Sequence, residues 1–295
     1  RLRRLMAFEP GHVVDQVKQD GVIKFVTALK DGHRIESVIL PMASHWTVCV
    51  SSQVGCRMGC RFYETGRMGL FRNLATHEIV GQALLAKWYF DAPVRNVVFM
   101  GMGEPMDNYD AVIQAIHVLA DQRGADISPK RVTLSTVGLL SPLKRYLENP
   151  IEGLKLSISL NAVDDPLRSC LMPINMHHHL DDLKRLLKIV PHKAKEGLMF
   201  GYILFDGIND SKNHALSLAC FTRQFPNVRV NLIPYNPINN ASFTAASSEK
   251  VEQFRQWLIN ERVFVRKRAS KGATIMAACG QLGARHHPKE EKGQC

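Results

Sequence analysis

Cys49-Val-Ser-Ser-Gln-Val-Gly-Cys56-Arg-Met-Gly-Cys60-Arg-Phe-Tyr63-Glu-Thr-Gly-Arg-Met-Gly69 is the stretch on which the reading of this chain turns. Trp46 to Ser51 alternates apolar and polar residues and reads as a strand. Cys56 and Cys60 follow on a glycine-containing loop. Three thiolates spaced Cys-x3-Cys-x2-Cys can hold three irons of a 4Fe–4S cube and leave the fourth iron open to a ligand. Here the third place is Tyr63. Soft thiolates are what select iron–sulfur groups, and a phenol oxygen is a harder donor.

Around that loop the pattern switches repeatedly between strand and helix. Strands are expected near Asn96–Met100, Arg131–Thr136, Lys155–Leu160, Met199–Phe205, Val228–Ile233 and Val263–Arg266. Helices are expected from Thr76 (as N-cap) through Tyr89, over Tyr109–Leu119, briefly from Pro142, and over Leu180–Ile189, Ser211–Phe225 and Ser247–Asn260. Repeated strand–helix units imply parallel strands joined by right-handed crossovers. About six units are too few for the closed eight-stranded barrel. The expected fold is α/β, a partial, open (β/α)6 barrel. Ahead of it, Val22–Leu29 and Arg34–Leu40 flank the Asp31-Gly32 turn and read as a hairpin. The expected organisation is an extension over residues 1–42, a core over 43–283 and a flexible basic tail over 284–295. On the hairpin's second strand, Glu36 is a lone acid among Ile35, Val38 and Ile39, and reads as the solvent face of a half-buried strand.

Composition narrows the class. No apolar run of the 295 residues approaches the ~20 needed to span a bilayer, and no signal peptide opens the chain. It starts at Arg1 rather than Met, which leaves a preceding segment open. Seven cysteines, an odd number, argue for reduced thiols in a cytoplasm rather than a disulfide framework. The net charge of +11 suits a polyanion.

In parallel α/β sheets ligands bind beyond the carboxyl ends of the strands. There the chain places the cysteine loop, Gly101-Met-Gly103-Glu104, Ser135-Thr136, Ser157, Ser159, Asn161, Asn231 and Tyr235-Asn236. Freed backbone groups, a carboxylate and several hydroxyls and amides could hold an amino-acid moiety and a ribose. Cys279, in Ala277-Ala-Cys-Gly-Gln-Leu282, reads as a small core hydrophobe from local composition alone. His177-His178-His179 reads as a solvated loop, since adjacent side chains diverge and no partner stands at ligand spacing. Arg266, Lys267, Arg268 and Lys271, with Lys184, Arg185, Lys188, Lys193 and Lys195, are candidate phosphate contacts.

Taken together, these motifs resemble the RlmN/Cfr family of radical-SAM RNA adenine methyltransferases. The likeness runs from Glu36 to Leu282. It includes residues 49–56, Gly101–Pro105, Leu134–Thr136, Asp164–Ser169, Met172-Pro-Ile-Asn, Tyr235-Asn-Pro and residues 277–282. It implies a 4Fe–4S cluster on Cys56, Cys60 and the place of Tyr63. It further implies S-adenosylmethionine (SAM) bound by Gly103 and Glu104 at its amino group, with Ser135, Ser159, Asn161 and Asn236 around its ribose and carboxylate. Cys279 would accept a methyl group. After hydrogen abstraction the carbon would add to C2 or C8 of an adenine in rRNA or tRNA. Cys49 would then form a disulfide with Cys279 to release the base, with Glu36 handling a proton. An electron donor such as a flavodoxin-type protein and an RNA are the implied partners, and no membrane is. The helical accessory domain of the family is expected to be shortened or absent.

The chain departs from the family at Tyr63, where a cysteine is usual, at Asn161 for His and at Thr274 for Asp. Tyr63 leads us to expect a labile or absent cluster. It keeps open a catalytically impaired relative that binds RNA or SAM. A radical enzyme acting on a small substrate is a third reading, disfavoured by the charge and by the Cys49/Cys279 pair.

Overall fold

The computed structural model describes residues 11–189, 197–238 and 242–283. The first ten residues of the expected extension, Lys193, Lys195 and the expected tail over 284–295 lie outside them.

Among the described residues one sheet of ten strands carries the fold, in the order β1 (His12–Gln19), β2 (Val22–Ala28), β3 (Arg34–Pro41), β4 (Trp46–Cys49), β7 (Val94–Phe99), β8 (Val132–Thr136), β9 (Lys155–Ser159), β10 (Leu198–Leu204), β11 (Arg229–Pro234) and β12 (Val265–Lys267). β5 (Gln53–Cys56) and β6 (Gly69–Asn73) pair separately, inside the cysteine loop. From β4 to β12 every pairing is parallel. Six of those strands are followed by the helices Thr76–Leu84, Tyr109–Ala120, Leu140–Glu148, Leu180–Lys188, Lys212–Thr222 and Ser248–Asn260. This is the expected open barrel, with β12 as a short closing strand.

The hairpin is a three-stranded antiparallel ribbon, because His12–Gln19 joins it, and β3 pairs with β4 to continue the barrel sheet. Its lone acid is not on a solvent face. Glu36 is 1% exposed, since the loop after β12 lies over this side of the ribbon. Lys271 donates to the Pro41 carbonyl and Thr274 bonds Gln19.

The strands read as apolar because helices and loops cover them. Val48, Val97, Leu134, Ile158, Phe200 and Leu232 are completely buried, each contributing roughly 1.5–3 kcal/mol relative to exposure. Ser211 and Ser247 cap their helices, accepting from the His214 and Lys250 amides. Elsewhere the ends differ from the sequence pattern. Ala75 rather than Thr76 is the N-cap, and the helix passes at Leu85–Tyr89 into a wider π turn.

Candidate active site

The Ser51-Ser52-Gln53 segment explains how two loops become one wall. Ser52 N–H donates to the Met102 carbonyl (2.8 Å), Met102 N–H to Ser51 Oγ (2.9 Å) and Glu104 N–H to Gln53 Oε1 (2.8 Å). Buried Gln82 holds the same segment from behind through the Ser51 amide and carbonyl. The cysteine loop and the Gly101–Glu104 turn are therefore stitched together by side chains of the motif itself. Gly103 permits this approach: its φ is +97°, and a Cβ there would stand 2.6 Å from that of Gln53.

Beyond the strand ends lies a cavity lined by both loops and by the ends of the neighbouring strands. Cys56, Cys60 and Tyr63 line one side, Gly101, Gly103 and Glu104 the floor, Ser135, Ser157 and Ser159 the far wall, and Arg268 and Cys279 the mouth. Of the twelve residues to which the resemblance assigns a role, the structure gathers Cys56, Cys60, Tyr63, Gly103, Glu104, Ser135, Ser159 and Cys279 here, beside Gly101, Thr136, Ser157 and Asn231 of the same strand ends. Four others do not line the cavity. Cys49 lies at the end of β4, close enough that Cys279 adds to burial in pushing its thiol up to about 12. Glu36 is behind the Cys279 loop, ion-paired with Lys24 at 2.8 Å. Asn236 donates to the Cys279 carbonyl (3.2 Å). Asn161 turns into the core: its Oδ1 accepts the Ile203 amide, its Nδ2 meets Met172 Sδ, and its carbonyl accepts from Asn209. A residue at φ +59° just past a strand faces inward here, which strand periodicity does not show.

Glu104 is the carboxylate of the floor. It accepts from the Met106 and Val137 amides (3.0 Å each). Those donors favour the anion, but burial outweighs them and pushes the carboxyl up to about 7. A cationic ligand placed against it would restore the charge.

Burial likewise pushes the Cys56 thiol up to about 12 and Cys60 and Tyr63 above their ordinary values. A metal group binding there must displace those protons. The donors fit an iron–sulfur group at two sulfurs and meet it with a phenol oxygen at the third position. Among the described residues no three His, Cys, Asp or Glu side chains stand together as a metal site. The Tyr63 ring lies against the Cys279 loop, where a Cβ on Gly280 would come within 2.8 Å of it.

Two cations escaped the sequence reading. Arg168, 1% exposed, donates to the carbonyls of Leu160 (3.2 Å), Val137 (2.7 Å) and Ser159 (3.1 Å) and to Asn175 Oδ1 (2.5 Å). It ties together the ends of β8 and β9 under the cavity. Burial depresses it to about 10, so it keeps its charge at neutral pH. Arg268, recognised only as part of a basic run, reaches Met100 Sδ (3.2 Å) and lines the mouth. Arg266 and Lys267 beside it are exposed. On the helix Leu180–Lys188, Lys184 and Arg185 pair with Asp181 and Asp182. No helix among the described residues is long and apolar enough to cross a membrane.

Residues 50–219 match the model of the radical SAM superfamily. A probable dual-specificity RNA methyltransferase RlmN 1 of Protochlamydia amoebophila is 43% identical over 260 residues, 88% of this chain and 72% of the relative. A probable dual-specificity RNA methyltransferase RlmN of Aquifex aeolicus is 38% identical over 284 residues, 95% of this chain and 82% of the relative. The crystal structure of a radical SAM methyltransferase from Sphaerobacter thermophilus superposes with a TM-score of 0.90 at 37% identity, covering 95% of this chain and 84% of that one.

Proposed function

This chain belongs to the RlmN family of the radical SAM superfamily, and from that premise we propose that it methylates a ring carbon, C2 or C8, of an adenine in rRNA or tRNA. The observation that carries the reading is the single cavity shared by Cys56, Cys60, Glu104 and Cys279. The amidine carbons of adenine are electron-poor and resist direct methyl transfer, so the hard step belongs to a cofactor while the protein orients and shields it. Enzymes of this superfamily use a 4Fe–4S cluster with SAM. When bound, that pair supplies a one-electron cleavage that abstracts hydrogen. Cys56 and Cys60 would hold the cluster, with the Tyr63 oxygen as its third donor.

The chain's own residues do the rest. Glu104 takes the SAM ammonium, and Ser135 and Ser159 take its hydroxyl and carboxylate groups. Cys279 carries the methyl group as a thioether at the cavity mouth. Asn236, through the Cys279 carbonyl, fixes the approach of that sulfur. Cys49, as its thiolate, attacks the Cys279 sulfur of the thioether joined to the base: the S–S bond forms, the S–C bond breaks, and the departing carbon takes that electron pair and a proton to become the methyl group. Glu36 accepts the proton released from the base, acting from behind the Cys279 loop. Arg266, Lys267 and Arg268 meet RNA phosphates at the mouth, and a flavodoxin-type protein supplies electrons.

The relatives' names and the matched superfamily support an enzyme rather than a silent binder. The test is anaerobic incubation of the reconstituted chain with SAM, a reductant and rRNA, followed by mass spectrometry of the digested nucleosides. Methyladenine that disappears in Cys279→Ala supports the reading. Methyladenine undiminished in a preparation containing no iron refutes it.

A further inference from the structure

Lys24 lies on β2, and the functional reading gives it no task. Its side chain is 5% exposed and that of Glu36 1%, and they form an ion pair 2.8 Å long. Taking two charges out of water is costly, so such a pair needs a compensating arrangement. The compensation here is directed at one loop. Lys24 Nζ also donates to the Met276 carbonyl (3.1 Å), three residues before Cys279. Glu36 Oε2 accepts the Gly283 amide (2.6 Å), four residues after it. Met276 sits at φ +53°, a conformation that side chains adopt reluctantly, so its backbone is held rather than relaxed.

Strand register adds the second half. Lys24 pairs with Val38, and Val38 pairs with Cys49. Directly paired residues share a face, and neighbouring strands are ~4.8 Å apart. Lys24 and Cys49 therefore stand on one face, ~10 Å apart across β3. Glu36, two residues from Val38 on β3, shares that face. The loop over 276–283 lies on it, stapled from the other side by Glu64 N–H to the Gly280 carbonyl (2.8 Å) and Thr65 Oγ1 to the Leu282 carbonyl (2.6 Å).

We infer that Lys24 is a positioning residue, forming with Glu36 a buried clamp that grips both shoulders of the Cys279 loop and holds its sulfur within reach of Cys49. The inference deepens the proposed function and rests on it for the partnership of the two thiols. It gives Glu36 a second duty and explains the placing of a lysine inside an apolar ribbon.

The test needs neither cluster nor SAM. The purified chain is equilibrated in glutathione buffers, where two thiols and one oxidised glutathione yield the protein disulfide and two reduced glutathiones. Acid quenching and peptide mapping then measure the Cys49–Cys279 link, and hydrogen exchange follows the amides of residues 276–283. Lys24→Met should lower the disulfide equilibrium constant at least tenfold and expose the Gly283 amide, while Lys24→Arg restores both in part. A constant unchanged within twofold, with the Gly283 amide still protected, overturns the clamp. Wild type that forms no Cys49–Cys279 link at any ratio, while its loop amides open on Lys24→Met, keeps the clamp and sinks the proposed chemistry. Where Lys24→Met unfolds because Glu36 is left as a lone buried charge, Lys24→Met/Glu36→Gln, which buries none, carries the same comparison.

Discussion

Replacing Glu104 by glutamine should alter how both stability and SAM affinity respond to pH. Burial raises this carboxyl from 4.5 to about 7, a difference of about 2.5 units, or about 3 kcal/mol at 1.36 kcal/mol per unit. Between those two values the folded chain keeps a proton that the unfolded chain has released. Folding stability attributable to Glu104 is therefore present below pH 4.5, falls as pH rises and is fully lost above about pH 7. Glutamine cannot titrate. It also cannot accept from both the Met106 and Val137 amides, so it carries a constant penalty at every pH. The informative quantity is the change in the wild-type-minus-variant difference, about 3 kcal/mol between pH 4.5 and pH 8, measured by urea denaturation of the free chain. SAM titrations should move in the opposite sense. The carboxylate is ~10% ionised at pH 6 and ~90% at pH 8. Wild type should thus gain roughly tenfold in affinity over that range beyond whatever the variant gains, since titration of the ligand itself is common to both. A stability difference flat within about 1 kcal/mol, or parallel affinity profiles, would falsify the assignment.

Tyr63→Cys should raise the iron and sulfide bound after anaerobic reconstitution and strengthen the visible charge-transfer absorption, because a thiolate replaces a harder oxygen donor. Equal iron content in both chains refutes it. Arg168→Met should destabilise by about 3 kcal/mol or more, read as a fall in urea midpoint, because three carbonyls at strand ends and the buried Asn175 side-chain oxygen lose a charged donor. Arg266→Ala/Lys267→Ala should weaken RNA binding at low salt and flatten the slope of log affinity against log salt by ~1.4, at ~0.7 per lost phosphate contact on a single strand. An unchanged slope removes these residues from the RNA face.

The strands, their parallel order and the identity of the cavity wall were legible because they depend on local pattern. Alternation and apolar runs set β4 and β7 to β11, and Gly103-Glu104 falls where a parallel sheet must present its loops. What the pattern hid was orientation after a bend and burial by a distant segment. Asn161 looks like a rim residue until its left-handed backbone turns it inward. Glu36 looks solvated because nothing near it in sequence announces the loop of residues 276–283 that covers it. Arg168 belongs to a quoted motif, yet a helical arginine gives no local sign that its guanidinium will run under two strand ends. Tyr63 could be seen as a departure but not as a packing partner of Gly280.

The covering of the barrel mouth by a late segment has a bearing on how the protein is made. Lys24 bonds a residue 252 positions away, and Glu36 one 247 positions away. Contacts so distant form last, since loop closure precedes their reward. On a ribosome, the ribbon and the early strands emerge long before residues 276–283 can reach them. A nascent chain then has a nearly complete sheet while Lys24 and Glu36 still lack their partners in the late segment. Truncation anywhere before Gly283 therefore removes the amide that Glu36 accepts and leaves the Lys24–Glu36 pair without one of the two loop shoulders it binds.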